Sequence, residues 1–384
     1  MRAHWVVLAS LAWGGCFPKG WPPERPGFSI HDFDYDAGPY LVRLSDSRMA
    51  VVVMHDLSAP PVVRWWARPE RDAGARPEMT EVRAIRNDDL WVAIMRDLPA
   101  DTPLRYSLES ELGLVGPFDF HAQRSREKPF RFAAIGDTRT GHQVHRALVE
   151  RLAKEEVDFF INSGDLVEFG GQLDLWIRFF NIEAPLMSKT PMFASVGNHD
   201  NSQPLYFRRL FLSDMWAEGN RYYYQDWGRV RLVALDSEIE IRPGSDQYGF
   251  MEKALRDGAE KGQLIVLSLH YPPYSSGEHG SNPTIRAVLA PLCKKYGVEV
   301  VLAGHDHDYE RTKPLDGTTY LVAASAGAPI RRVEPQDFTA VFRTEPHYVL
   351  FDVEEDRLVG RTVNLEGEVF DTFIVPALAP EPAL

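Results

Sequence analysis

This sequence predicts two domains: an N-terminal all-β sandwich, then an α/β domain in which strands and helices alternate. Three observations predict it. From about Gly38 to Ala122 the chain has short β-type runs broken by turns, with no strong helical period. From Phe130 onward, β-rich segments alternate with helical ones. Five strands of this second region end on metal-ligand-type residues: Gly136-Asp137, Gly164-Asp165, Gly197-Asn198-His199, Leu269-His270 and Gly304-His305-Asp306-His307.

The sandwich strands are read at 40–44, 49–55, 62–67, 90–95, 104–110 and 117–121, separated by turns such as Ser45-Asp46-Ser47. No ligand cluster occurs among them, so the sandwich reads as a scaffold or docking module. In the second region a strand at 130–135 leads to a helix at 144–156, with Val144, Leu148 and Leu152 at i, i+4 and i+8. Strands follow at 157–161 and 192–196, with a helix around 173–180 between them. A loop and helix run to Phe211, and a hairpin at 222–225 and 230–235 turns near Trp227-Gly228. Then come a helix at 248–256, a strand at 264–269, a helix at 284–296 and a strand at 298–303. Closing strands are read at 319–325, 348–353 and 357–364. The resulting division is a leader and linker at 1–30, the sandwich at 31–125, the α/β domain at 126–375 and a loose Pro-rich tail at 376–384.

The 384 residues suffice for two domains and a substantial core, and 44% hydrophobic with 25% charged residues is ordinary globular composition. A formal net charge of -13 repels a phosphate backbone, so no nucleic-acid partner is expected. The N-terminus reads as an export leader: a mildly basic start, an apolar run from Trp5 to Trp13, then Gly14-Gly15-Cys16. The run is too short to span a bilayer. It resembles a bacterial lipoprotein signal in which Cys16 is lipidated, a possible membrane attachment, although such signals prefer Leu where Trp13 stands. The protein is thus expected to be exported: periplasmic, extracellular or anchored at the cell envelope. The other cysteine, Cys293, lies on a predicted helix and reads as a small core residue.

Sites in helix-flanked sheets form outside the carboxyl ends of strands. Gly before the ligand lets the chain turn and lets a metal approach the backbone. A single Gly-Asp is a common turn, whereas five such ends in order are not. Asp137 and Asp165 offer hard carboxylate oxygens, Asn198 an amide oxygen, and His270, His305 and His307 imidazoles. On an extended segment His305 and His307 point the same way, so both could reach one cluster. Such a rim suits a pair of metal ions and the hydrolysis of a phosphate ester.

These five blocks resemble those of the calcineurin-like metallophosphoesterases. The pieces Gly304-His305-Asp306-His307-Asp308-Tyr309-Glu310-Arg311 and Tyr222-Tyr223-Tyr224-Gln225-Asp226-Trp227-Gly228 look most like the purple acid phosphatase branch. The resemblance covers about residues 36 to 370. It implies a fibronectin-type-III-like sandwich followed by a catalytic β-sandwich flanked by helices. It implies two divalent or trivalent ions, of Fe, Zn or Mn, and a small phosphate ester as substrate. It further implies that Asp165 bridges the ions, that Asp137 and His307 complete much of the first site, and that Asn198, His270 and His305 complete the second. A metal-held hydroxide then attacks phosphorus in line. His199 would hydrogen-bond the phosphate or protonate the leaving alcohol, or position other groups. Asp200 would orient His199. His279, in a Gly-flanked loop, could reach the phosphate or be a surface residue.

Two positions depart from the pattern. Purple enzymes carry Tyr where this chain has Glu168, and many other members carry His where it has Arg139. Either Glu168 or water fills the gap, or the first site binds its metal weakly. Arg139 could pair with a phosphate or with a nearby carboxylate. The function expected is a phosphomonoesterase, acid phosphatase-like. A phosphodiesterase or nucleotide-cleaving enzyme is the alternative, and a non-catalytic surface binding protein a more distant one.

Overall fold

The computed structural model describes residues 35–68, 77–202, 204–212 and 221–381. The leader, Cys16 and most of the linker lie outside the described residues. Eight strands come first: β1 (Ala37–Ser45), β2 (Arg48–Met54), β3 (Val62–Ala67), β4 (Thr80–Arg83), β5 (Ile85–Asn87), β6 (Leu90–Met95), β7 (Leu104–Ser110) and β8 (Gly113–Phe120). They make two antiparallel four-stranded sheets, in the orders β1-β2-β6-β5 and β4-β3-β7-β8. The short strands β4 and β5 were not expected; both are largely exposed and lack an apolar alternation that would betray them.

The second region contains β9 (Phe130–Ile135), α1 (His142–Leu152), β10 (Phe159–Asn162), α2 (Leu173–Met187), β11 (Met192–Ala194), α3 (Pro204–Leu210), β12 (Tyr223–Trp227) and β13 (Val230–Ala234). It continues with α4 (Asp246–Glu260), β14 (Leu264–Ser268), α5 (Pro283–Tyr296), β15 (Val298–Ala303), β16 (Tyr309–Thr312), β17 (Thr319–Ala323), β18 (Thr339–Arg343), β19 (His347–Val353), β20 (Arg357–Asn364) and β21 (Val369–Pro376). One sheet has the order β11-β10-β9-β19-β20-β21, the other β12-β13-β14-β15-β17-β16-β18. The strands β9, β10 and β11 are parallel, as are β13, β14, β15 and β17. Parallel strands carry their carboxyl ends to one side, which gathers the predicted site residues on a single rim.

Local chemistry explains the helices. Ser245 caps α4 by accepting from the Tyr248 N–H at 3.2 Å. Asn282 caps α5 at Ile285 N–H, 3.0 Å away, Pro283 occupies its first turn, and Gly297 ends it at φ 68°. α2 runs on past Phe180 to Met187, and Pro185 in its last turn has no N–H to give to the carbonyl of Asn181. Its Glu183 is buried and meets His145 of α1 at 2.7 Å.

The two catalytic sheets share an aromatic core in which Phe159 meets Phe132 at 5.0 Å and Trp227 at 5.3 Å. The outer face of the second sheet packs on α4 and α5, with Cys293 buried there and its thiol pushed up to about 12 by burial. The tail departs from the expected looseness. Ala377 N–H donates to Asp356 O, Leu378 N–H to Glu299 Oε1 and Glu381 N–H to Lys295 O. These bonds hold residues 377–381 against the domain.

The sandwich is not a separate lobe. On β1, β2 and β6, Tyr40, Val42, Ala50, Val52, Leu90 and Val92 join the catalytic core, while Leu41, Met49, Val51, Val53 and Ala93 face the sandwich core. Tyr40 stacks on Phe180 of α2 at 4.3 Å and its hydroxyl donates to Leu210 O at 2.8 Å. Tyr106 O–H donates to Ser188 O at 2.6 Å. Arg43 lies over the Trp227 ring at 5.1 Å and donates to Asp226 O.

Because the core is shared, Tyr40→Ala is expected to lower stability by about 3–5 kcal/mol. Urea unfolding of the variant should remain a single transition for the whole chain. Two separated transitions would contradict the shared core. A second expectation concerns His347, fully buried at the start of β19, where burial holds its imidazole down to about 4. The unfolded chain, with a value of about 6.5, binds the proton first as pH falls. Stability present above pH ~6.5 is therefore lost between ~6.5 and ~4, by about 3 kcal/mol. His347→Phe should remove that portion of the loss in urea titrations across this range.

Candidate metal centre

The strand ends form the rim by unusual backbone geometry. Asp137, Asp165, His305 and His307 all have positive φ, at 53°, 55°, 77° and 53°. Such conformations are costly for these residues and persist only where surroundings impose them. The imposing contacts are visible. Asp137 Oδ2 accepts the His305 N–H at 2.9 Å, and Asp165 Oδ1 accepts the His199 N–H at 2.9 Å. A Cβ on Gly197 would stand 2.2 Å from Asp165 N and Oδ1, and one on Gly304 would stand 2.6 Å from Asp137 Oδ2. These two glycines are therefore required for close approach of neighbouring strand ends, while the left-handed turn falls on the ligand-type residue itself.

One cluster gathers Asp165, Asn198 and His270. His270 Nδ1 donates to Ser163 O at 3.0 Å, which turns the Nε2 lone pair toward the rim. That Nε2 lies 3.4 Å from Asp165 Oδ1 and 3.1 Å from Asn198 Oδ1. Two oxygens and an imidazole lone pair aimed at one point fit a divalent ion. His305 stands beside them, its ring 5.2 Å from that of His270. Burial, then His270 and His279, press His305 down to about 2, so its imidazole is neutral and able to coordinate.

A second cluster gathers Asp137, Asp165 and His307, whose ligand atoms lie within 4.8 Å of one another. His307 Nδ1 donates to Pro329 O at 2.8 Å, and its Nε2 faces Asp137 Oδ1 at 3.3 Å. Asp137 Oδ1 is buried without a hydrogen-bond partner. Burial raises Asp137 to about 7. Asp165 is held below the usual carboxylate range: burial opposes this, but His270, His199, the His199 N–H and Arg139 outweigh it.

Arg139 enters this second cluster. Its Nε donates to Asp165 Oδ2 at 3.2 Å, Nη1 to Glu168 Oε2 at 2.5 Å and Nη2 to His307 Nε2 at 3.3 Å. Glu168, one of the alternatives for filling the ligand gap, has its carboxylate paired with Arg139. Arg139 itself is paired with carboxylates rather than held open for a phosphate.

Asp200 also differs from expectation. Its carboxylate accepts from the N–H groups of Leu166 (3.0 Å), Val167 (3.2 Å) and Gly197 (3.0 Å). It ties the second and third strand ends together, whereas the His199 ring is oriented by Nδ1 donating to Glu168 O at 2.8 Å. His199 Nε2 lies 3.9 Å from Asp165 Oδ2, so this ring borders both clusters. His279 reaches the rim, stacking on His305 at 4.4 Å, and its N–H donates to Asp306 Oδ1 at 2.7 Å. Sequence reasoning missed Arg331. Its Nη1 donates to His305 O at 2.9 Å and its N–H to His307 O at 3.3 Å. It sits in an irregular loop after β17, without a strand-end signal.

Residues 130–309 match the calcineurin-like phosphoesterase family. The chain is 31% identical over 352 residues to purple acid phosphatase 21 of Arabidopsis thaliana, covering 84% of this chain and 80% of that protein. It is 29% identical over 281 residues to a nucleotide pyrophosphatase/phosphodiesterase of Hordeum vulgare, covering 59% and 74% respectively. A purple acid phosphatase from yellow lupin (Lupinus luteus) seeds shares the fold, with a TM-score of 0.75 at 18% identity, covering 90% of this chain and 76% of that one. The fold and the rim define a metal-dependent phosphoester hydrolase, of a class that is binuclear metal-dependent. The chain belongs to the calcineurin-like metallophosphoesterase family, with purple acid phosphatases among its relatives. Among the described residues, no helix is long and apolar enough to cross a membrane.

Asp200→Ala would leave three buried N–H groups without an acceptor. It is expected to cost about 3 kcal/mol or more in urea unfolding. Unchanged stability with lost activity would instead assign Asp200 to the chemistry.

Proposed function

We propose that this protein is a phosphomonoesterase, acid phosphatase-like, acting on small phosphate esters. The observation that carries the reading is the convergence of Asp165 Oδ1, Asn198 Oδ1 and His270 Nε2, with His305 alongside. These four residues would hold a metal ion. When bound, the ion supplies a Lewis acid for phosphoryl oxygens and activates water at neutral pH. Asp137 and His307 gather on the far side of the Asp165 carboxylate, with the Arg139 guanidinium bonded to Asp165 and His307.

The chain's own residues supply the rest. Glu168 O holds the His199 Nδ1 proton, so Nε2 carries a transferable proton only when the ring is an imidazolium. In that state it would hydrogen-bond the phosphate and protonate the leaving alcohol. His279, on the rim beside His305, is placed to meet the leaving group. The sandwich is read as fibronectin-type-III-like, supported by its β1-β2-β6-β5 and β4-β3-β7-β8 sheets. The leader is read as an export signal.

The barley relative motivates phosphodiester cleavage as the second reading. Assays on nitrophenyl phosphate and bis-nitrophenyl phosphate separate them. The monoester is expected to show kcat/KM higher by about tenfold or more, about 1.4 kcal/mol in transition-state stabilisation. Faster diester turnover would overturn the first reading. Asn198→Ala should lower kcat/KM by about 100-fold or more, and full activity in that variant would contradict the site assignment.

A further inference from the structure

The Asp137, Asp165 and His307 cluster does not fit a second metal ion, and we propose that the Arg139 guanidinium stands in that ion's place. The chain then holds one ion, at Asp165, Asn198, His270 and His305. This rests on the phosphohydrolase reading for its setting, but its test reads metal content.

A neutral imidazole with a proton on Nδ1 has a single in-plane lone pair on Nε2. In His307 the Nδ1 proton goes to Pro329 O at 2.8 Å, and the Nε2 lone pair receives Arg139 Nη2–H at 3.3 Å. An ion bound to that nitrogen at about 2.0–2.1 Å would take the space of the same hydrogen. Asp165 Oδ2 accepts Arg139 Nε–H at 3.2 Å and keeps one further lone pair. Asp137 Oδ1 is left without a hydrogen-bond partner. Two carboxylate oxygens without the imidazole fall short of the three or four protein ligands that ions of this kind take.

Arg139 is also fixed. Glu168 Oε2 holds Nη1 at 2.5 Å, and the Arg139 side chain is only 9% exposed. A guanidinium keeps its charge at any working pH, so it repels a neighbouring ion under all such conditions. Among the described residues, His270 Nε2 of the other cluster lies against Asp165 Oδ1 at 3.4 Å and Asn198 Oδ1 at 3.1 Å rather than against a guanidinium.

The test loads the purified full chain with Mn²⁺, removes excess by desalting, and measures metal per chain by mass spectrometry and by electron paramagnetic resonance. The wild type is expected to hold one ion with an uncoupled six-line spectrum. Arg139→Ala should hold two ions with an exchange-coupled spectrum, and Asn198→Ala should lose the single ion. Two coupled ions in the wild type would overturn the proposal. So would a folded Arg139→Ala, verified by circular dichroism, that still holds one. If Arg139→Ala does not fold, the wild-type count alone decides. Phosphate ester turnover on the same samples is read separately. One ion with no turnover removes the hydrolase reading and leaves this inference standing, and two ions with turnover do the reverse.

Discussion

Asp165 lies 3.4 Å from His270 Nε2 through Oδ1 and 3.2 Å from Arg139 Nε through Oδ2, so one buried carboxylate faces two groups at once. Most of the rim serves that double exposure. The left-handed φ of Asp165 turns its side chain off the end of β10. The His199 N–H fixes Oδ1, and the bare Gly197 leaves the room that Oδ1 needs. Asp200 then locks the two loops that make this approach possible, by accepting N–H groups from both. A carboxylate held so tightly gains its function from placement, since almost nothing about it can relax.

The sandwich belongs to the same structural logic. Strands β1, β2 and β6 of its first sheet are buried on both faces, so the sheet cannot detach without exposing Tyr40, Val42, Val52 and Val92 to water. Tyr40 reaches Leu210 O just after the third strand-end loop, and Arg43 reaches the β12–β13 hairpin. The N-terminal region thereby braces α2 and α3, the helices that follow two of the ligand-bearing loops. A scaffold role fits this better than a tethered docking module, because the buried contacts are with its own chain.

Much of this was legible in the sequence. Strands β3, β6, β7, β9, β15 and β20 lie at their predicted bounds, because β-branched and aromatic runs bounded by Gly, Asp or Pro leave little choice. The ligand-type residues were legible because parallel strands send their ends to one side. What was not legible depended on side-chain direction. Arg139 and Glu168 were seen as departures, but only three dimensions show the guanidinium between Asp165 and His307. Asp200 follows His199 in sequence yet faces backbone amides from another loop. Arg331 lies in a loop whose sequence says nothing of its partners. The tail looked loose for its prolines, while among its described residues the N–H groups of Ala377, Leu378 and Glu381 find acceptors on Asp356, Glu299 and Lys295.

Charge decides why this rim still needs an ion. The whole chain carries a formal charge of -13, and phosphate esters are anions. At the rim, Asp165 and Glu168 share the donors of the Arg139 guanidinium with His307, and Asp137 adds a further buried carboxylate. Arg139 therefore neutralises part of an acidic pocket and cannot by itself make it attractive to phosphate. Arg331 adds positive charge from the other side, where it bonds His305 O and depresses both His305 and His307. One divalent ion among Asp165, Asn198, His270 and His305 would reverse the balance where the phosphate must sit, next to the neutral Asn198 oxygen. The guanidinium then has a defined part. It holds Asp165 oriented from behind, so that the carboxylate presents its other oxygen to the ion.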